Sequence, residues 1–397
     1  MYQTVAVKED VYWLGGNDRK TRLFENLWPL EKGVSYNSYM VVDEKVALID
    51  TVDKQKSTEF LAKIKNILNG RKIDYLIINH MEPDHSGSIA DIAREYPDIQ
   101  IIGNKMTFVL LHGFFGKQKN ELMIEDGAEI NLGSRSLKIY VTPWVHWPET
   151  MMTYDAKHKI LFSGDAFGSF GTLDGGVFDD ELDLDWYWDE MRRYYSNIVG
   201  KYSKMVQKAM EKLAPLQIDI LASTHGPIWR TQVAKVLELN DKWSKNIGEP
   251  GVVIVFGSMY GNTEYMAEII ARRLSERGVK QIRIYDSAKT HVSYILSDIW
   301  KYNGVMLGSS AYNAGVFPAM DVLTNTLLHV ELKDRYLGTF GSSGWNKAGV
   351  KGLNKFAEES GWEIVYKSAE TRASVEQDSY NACLAIADAM ADKILAS

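Results

Sequence analysis

The sequence predicts an α/β protein built of two domains, and three observations point there. The chain has 397 residues, more than one ordinary core organises; at about 150 residues per domain, two or three are expected, and two fit best. From about residue 4 to 240, short apolar and β-branched runs mix with helical stretches. After the polar segment DKWSKNIGEPG (241–251), which ends in Pro-Gly and reads as a linker, strands alternate regularly with helices. That alternation is the mark of βαβ units and a parallel, doubly wound sheet. The domains are therefore expected at 1–248 and 249–397.

In chain order, YMVVDEKVALID (39–50) reads as a hairpin, DYLIINH (74–80) as a buried strand and IQIIGN (99–104) as another. LKIYVTP (137–143) and ILFSGD (160–165) add two more, and IDILAST (218–224) a further short one. Beyond the linker come VVIVF (252–256), IRIY (282–285), GVMLG (304–308), YLGTF (336–340) and WEIVY (362–366), separated by helical segments such as EYMAEIIARRLSERG (264–278). Five such strands suit a five-stranded doubly wound sheet.

Composition narrows the function. Hydrophobic residues at 45% and charged residues at 24% belong to a globular chain with sizeable cores. A net charge of -7 with no basic run argues against nucleic acid, leaving a small ligand or a protein as partner. No apolar run reaches the ~18 residues of a membrane span, and MYQTVAVKEDVYW lacks the basic start and apolar core of a signal peptide, so no membrane is expected and the location is expected to be cytoplasmic. The single cysteine, Cys383 in NACLAIADAM, rules out an internal disulfide and a cysteine-ligated metal within this chain, and reads as a buried helical residue.

Two constellations carry chemistry. In NHMEPDHSG (79–87), His80, Glu82, Asp84 and His85 fall within six residues just after a strand, so they can face one pocket. His146 in WVHWPET, Asp165 in FSGDAFG and His225 in STHGPIW follow at other strand ends or loops. A lone histidine such as His146 is ordinarily a satisfied polar residue; the set is what signifies. Four histidines and three carboxylates exceed one tetrahedral metal and suit two metals sharing a bridging carboxylate, for which Asp165, alone between the histidine clusters, is the candidate. His112, His158, His291 and His329 have no comparable context.

The second constellation follows VVIVF. In GSMYGNTEYMAEII, Ser258, Asn262 and Thr263 offer donors, with Met259 and Tyr260 between them; Gly257 and Gly261 let the backbone bend, and a helix starts directly behind. Unpaired N–H groups and the positive end of the helix dipole make a phosphate site there. The absence of the lysine of G-x-x-x-x-G-K-[ST] points to a monophosphate rather than a triphosphate with magnesium. SSAYNAGVFP (309–318) and GSSGWNKAG (341–349) add Ser310, Ala311, Tyr312, Asn313, Ser342, Ser343, Gly344 and Trp345 at the carboxyl ends of strands, where Tyr312 and Trp345 could flank a planar ring. Taken singly, each loop is equally readable as a tight turn.

The segments around the seven ligand residues resemble the metallo-β-lactamase fold, an αββα sandwich whose zinc hydrolases usually carry H-x-H-x-D-H. Here Glu82 stands in place of the second histidine, adding negative charge and a harder oxygen that shifts preference toward iron or manganese. The second half resembles flavodoxin, with FMN phosphate at 258–263 and the flavin ring between the other two loops; relatives usually read Ser-Pro-Thr where Ser309, Ser310 and Ala311 stand. Together the halves resemble the flavodiiron proteins, or A-type flavoproteins. The resemblance implies one iron at His80, Glu82 and His146, another at Asp84, His85 and His225, with Asp165 bridging, and Tyr195 in RRYYSNI as a hydrogen-bond or proton donor near the irons, unless it is simply a tyrosine on a helix face.

It also implies reduction of dioxygen to water, a four-electron reaction to which two ferrous ions and reduced FMN contribute two each, or of two nitric oxides to nitrous oxide, which takes two. Without paired C-x-x-C motifs, the donor is expected to be separate: a rubredoxin or a reduced deazaflavin coenzyme. A head-to-tail homodimer or dimer of dimers is a further implication. The competing reading is a zinc-dependent hydrolase whose flavodoxin-like domain serves regulation or electron transfer, and metal identity separates the two. A pure electron carrier would leave a buried cluster of carboxylates and histidines with no purpose.

Overall fold

The computed structural model describes residues 3–396. The chain separates into two compact units: the first runs to Tyr195 and resumes over Tyr202–Asp241, and the second takes Ser196–Lys201 and the chain from Lys242 onward.

The first unit is a sandwich of two sheets. One has seven strands in the order Val5–Lys8, Val11–Trp13, Tyr39–Val42, Val46–Ile49, Tyr75–Ile77, Gln100–Gly103, Glu121–Met123. The other has five: Glu129–Asn131, Ser136–Val141, Met151–Asp155, Ile160–Gly164, Ile220–Ser223. Val41, Ala47, Ile49, Ile77 and Ile102 of the first sheet share a core with Leu137, Ile139, Ile160, Phe162 and Ala222 of the second. The alternate residues Met40, Leu48, Leu76 and Ile101 are equally buried, so the seven-stranded sheet is covered on its outer face too. Helix Ser57–Leu68, which buries Phe60, Ile64 and Leu68, connects the parallel strands Val46–Ile49 and Tyr75–Ile77. Such a crossover leaves the carboxyl ends of both strands at one edge, and the ligand residues sit there.

The hairpin 39–50 and the strands anticipated near 74–80, 99–104, 137–143, 160–165 and 218–224 all form. Met151–Asp155 was not anticipated: MMTYD shows no alternation because all five residues are buried, Asp155 through a 3.0 Å pair with Arg135.

In the second unit the strands run parallel in the order Ile282–Asp286, Glu249–Gly257, Tyr302–Ser310, Tyr336–Ser343, Glu363–Ile364, with Ala369–Arg372 also on Tyr336–Ser343. The anticipated fifth strand is thus broken in two: 362–366 contributes Glu363–Ile364, and the ladder resumes at Ala369. Helices Asn262–Glu276 and Gln377–Ala396 cover one face with Met266, Ile270, Ile386 and Met390. Cys383 is buried there, its thiol pushed up to about 12 by burial, which makes it unreactive.

The expected linker 241–251 is a correction. Helix Val233–Ser244 enters it and strand Glu249–Gly257 begins before Pro250, leaving 245–248 irregular. Pro250 is tolerated inside a strand because the pairing with Tyr302–Ser310 slips between Glu249 and Val252, where its missing N–H is not needed. Among the described residues no helix is long and apolar enough to cross a membrane.

Candidate metal centre and flavin site

Long-range bonds fix the metal loops. Asp50, at φ 55 after strand Val46–Ile49, accepts the N–H groups of Asn79 (2.7 Å) and His80 (3.2 Å) on one oxygen. The Asn79 side chain donates to the Phe162 carbonyl and accepts from Thr153, tying this loop to the opposite sheet. Pro83 opens the short helical turn Pro83–Ser86, which presents Asp84 and His85. Asp165 follows Gly164, whose φ of 59 suits glycine. His225 is held between Ser223, whose hydroxyl donates to the His225 carbonyl, and Gly226, whose N–H donates to Ser35 Oγ.

The seven predicted metal residues come together as two adjoining groups. Donor atoms of His80, Glu82, His146 and Asp165 lie within 4.8 Å of one another, as do those of Asp84, His85 and His225. Glu82 Oε2 is 3.2 Å from the Nε2 atoms of both His80 and His146, and Asp84 is 3.3 Å from those of His85 and His225. Asp165 touches both groups: Oδ2 is 3.2 Å from His146, and Oδ1 is 2.8 Å from His85. The opposite ring nitrogens are engaged behind. His80 Nδ1 is 2.8 Å from Glu149 Oε1, and His225 Nδ1 donates to the Ser35 carbonyl at 2.7 Å, which directs both Nε2 atoms inward as a metal requires. Phe24 packs edge-on against His225 and Trp147 against His80, and both rings keep water from the cluster.

Charge explains why these groups coexist in the interior. Burial opposes the imidazolium of His80, but the charges of Asp165 and Glu149 hold its pKa well above the usual value. Against the same burial, Asp84 and Asp165 hold His85 up to about 9, and Asp165 and Glu82 hold His146 up to about 9. In return, and again against burial, Glu82 and Asp165 are pushed below the usual carboxylate range by these imidazoles. Both Asp84 oxygens, both His85 ring nitrogens and His225 Nε2 have no hydrogen-bond partner among the described residues although fully enclosed. Unpaired donors of this kind, converging with carboxylates, are what a bound cation satisfies, and their harder, oxygen-rich mix fits two irons.

Tyr195 caps helix Leu184–Tyr194, its hydroxyl is bonded to Ser203 Oγ at 3.0 Å, and its ring is buried. Its neighbour Tyr194 lies against His225, ring centres 5.6 Å apart. Burial and the charges of Asp165, Glu82 and Asp84 hold the Tyr194 hydroxyl well above its usual pKa, with the Asp165 carboxylate beside it. Sequence reasoning also passed over Glu149, Ser35, Asp50 and Thr224, whose hydroxyl donates to Asp165 Oδ1 at 2.5 Å.

In the second unit a cavity of about 530 Å³ gathers the predicted flavin residues from all three loops: Met259, Tyr260 and Asn262; Ser310 to Asn313; Ser342 to Trp345. Ala314, Asn346 and Ala373 complete it. Ser258, Gly261 and Thr263 shape it from behind: Ser258 Oγ accepts the Gly261 N–H, Gly261 at φ 89 precedes helix Asn262–Glu276, and Thr263 Oγ1 lies 2.8 Å from Ser342 Oγ. Ser310 Oγ is buried without a partner among the described residues, an orphan that a polar ring edge would satisfy. Tyr260 and Trp345, 88% and 89% exposed, rim the cavity, as aromatic rings awaiting a planar ligand would. The arrangement fits FMN.

Residues 34–226 match the family described as ODP family beta lactamase, and residues 254–386 match flavodoxin. The chain is 31% identical over 386 residues to an anaerobic nitric oxide reductase flavorubredoxin from Escherichia coli, spanning 96% of this chain and 80% of the relative. Its fold superposes on rubredoxin oxygen:oxidoreductase from Desulfovibrio gigas with a TM-score of 0.95 at 26% identity, covering 99% of each chain. On the flavodiiron protein from Giardia intestinalis the score is 0.93 at 25% identity, covering 100% of this chain and 98% of that one. With the metal and flavin sites, these likenesses establish that the chain belongs to the flavodiiron proteins, oxidoreductases that carry FMN and a non-haem diiron site.

Proposed function

We propose that this chain reduces dioxygen to water, nitric oxide to nitrous oxide, or both, with residues 1–248 holding the irons and 249–397 holding FMN. Electrons come from an external donor, a rubredoxin or a reduced deazaflavin coenzyme. The observation that carries this reading is the pair of donor groups sharing Asp165, with the Asp84, His85 and His225 donor atoms buried, crowded against one another and outside hydrogen-bond geometry. The irons supply a place for the gas to bind and be reduced, and FMN supplies the electrons that restore them.

The protein's own part is positioning and exclusion. His80, Glu82 and His146 would hold one metal and Asp84, His85 and His225 the other, with Asp165 shared between them. Glu149 and Ser35 lock the tautomers of His80 and His225. Phe24, Trp147 and Tyr194 wall the centre, and Tyr194 keeps its phenolic proton beside the carboxylates. At the flavin site, the Ser258–Thr263 turn would receive the phosphate at a helix start, and Ser310 would meet a polar edge of the ring. The exposed rings of Tyr260 and Trp345 support burial of this rim against a second copy, head to tail, as a homodimer or dimer of dimers.

The test is metal and flavin content of protein expressed with ample iron, followed by dioxygen and nitric oxide consumption with reduced rubredoxin. About two irons and one FMN per chain, with turnover of either gas, are expected. Two zincs persisting under iron-rich expression would restore the hydrolase reading and overturn this one.

A further inference from the structure

The two metal positions have matched inner donors: two imidazoles, one carboxylate, and one oxygen of Asp165 each. Oδ2 faces His146 and His80 at 3.2 and 3.6 Å, and Oδ1 faces His85 and His225 at 2.8 and 3.7 Å. The surroundings behind these donors differ. His80 Nδ1 is backed by a carboxylate, that of Glu149, which is fully buried and also takes the Met81 N–H. His225 Nδ1 is backed by a neutral carbonyl, that of Ser35. Asp165 Oδ1, the oxygen facing His85 and His225, accepts the Thr224 hydroxyl at 2.5 Å, and both residues are about 1% exposed.

Each difference acts on charge donation. A carboxylate bonded to the far nitrogen of an imidazole makes that ring a stronger donor. A hydroxyl donating to a carboxylate oxygen draws electron density from it, so that oxygen neutralises a cation less well. Both effects favour the oxidised metal at His80, Glu82 and His146, and the reduced metal at Asp84, His85 and His225. We propose that Glu149 and Thr224 are positioning residues that split the reduction potentials of the two irons, so that the iron at Asp84, His85 and His225 is the first to be reduced. This rests on the diiron reading above. Thr224 is rigidly placed, its N–H on the Gly164 carbonyl and its own carbonyl taking the Asn37 N–H, so its hydroxyl has a fixed aim.

The experiment is an anaerobic redox titration of the iron-loaded, FMN-bound protein, read by EPR and Mössbauer spectroscopy, for wild type, Thr224→Val, Thr224→Ser and Glu149→Gln. Wild type is expected to show two separated one-electron potentials. Thr224→Val should lower the upper one, Glu149→Gln should raise the lower one, and Thr224→Ser, which keeps the hydroxyl, should match wild type. With two irons per chain retained, unmoved potentials in Thr224→Val, or a shift in the lower potential instead, overturn the proposal. Should Thr224→Val lose iron, Glu149→Gln carries the test alone, and an unmoved lower potential overturns it. Wild-type protein with no iron pair would instead refute the reading on which the proposal rests, so the two failures are distinguishable.

Discussion

Metal binding at this centre is expected to depend steeply on pH, because the imidazoles that would hold the metal hold protons first. His85 and His146 are held up to about 9 from an ordinary 6.5, and a rise of that size corresponds to roughly 3 kcal/mol favouring the protonated ring. At pH 7 a metal that displaces one of these protons gives up on the order of 3 kcal/mol, roughly a hundredfold in affinity per ring. His80 is also raised well above its usual value, and its charge opposes those of His85 and His146. The protonated rings dominate below the raised values, so affinity climbs as pH rises toward about 9 and flattens above. Cobalt(II) added to the apo-protein at about pH 7.5, with a dye reporting protons, should release at least one per chain, and apparent affinity should rise about tenfold per pH unit. Release of less than one proton, or a flat affinity, would refute the charge pairing described here. Apo-protein stability follows the same groups with the opposite consequence. The raised histidines stabilise the fold fully below 6.5, and that contribution fades as pH rises through about 9; the depressed Glu82 and Asp165 stabilise it above 4.5 and 3.8, and that contribution is lost as pH falls through their lowered values. The cluster should therefore stabilise the apo-protein most between about pH 4.5 and 6.5.

Asp165→Ala removes the one carboxylate common to both donor groups, and iron content should fall below about one per chain while FMN stays bound; full iron loading would refute the bridge. Thr263→Glu puts a negative charge where the phosphate is proposed to bind, and FMN affinity should drop about a hundredfold with iron unchanged, as flavin fluorescence on dilution would report. Arg335, almost fully buried, donates to the carbonyls of Ile299, Trp300, Asn246, Lys333 and Asp334; Arg335→Met should destabilise the flavin unit by about 3–5 kcal/mol in chemical denaturation. Tyr194→Phe should leave stability within about 1 kcal/mol but lower gas turnover about tenfold, whereas Tyr195→Phe should cost about 1 kcal/mol through the lost Ser203 bond and spare turnover. Equal turnover in the two variants would remove Tyr194 from the centre.

The sheet of the second unit was legible because its central strands are buried on both faces and read as continuous apolar runs, VVIVF and GVMLG above all. The same logic failed where polarity was internal. Asp155 and Thr153 are buried in Met151–Asp155, satisfied by Arg135 and Asn79, partners 20 and 74 residues away, so a core strand looked like a loop. Pro250-Gly251 looked like punctuation for a related reason, since a bulge that spares a proline depends on the register of a strand some 50 residues on.

The candidate site divides along the same line. Four of the metal ligands lie within one turn of chain and the rest at strand ends, so residue type and spacing were enough to find them. The choice between Tyr194 and Tyr195 was not available from spacing, because one residue along a helix turns the side chain by about 100° and only the packing against His225 decides which faces inward. Glu149 reaches His80 across 69 residues, Ser35 reaches His225 across 190, and Thr224 reaches Asp165 across 59. The inner donors are thus a local property of the sequence and nearly equal at the two metals, while every group that makes the metals unequal is delivered by tertiary contact. Preference between dioxygen and nitric oxide requires such an inequality, since both reactions can use the same inner donors. It should therefore respond to substitutions at Thr224, Glu149 and Tyr194 that leave the seven ligands untouched.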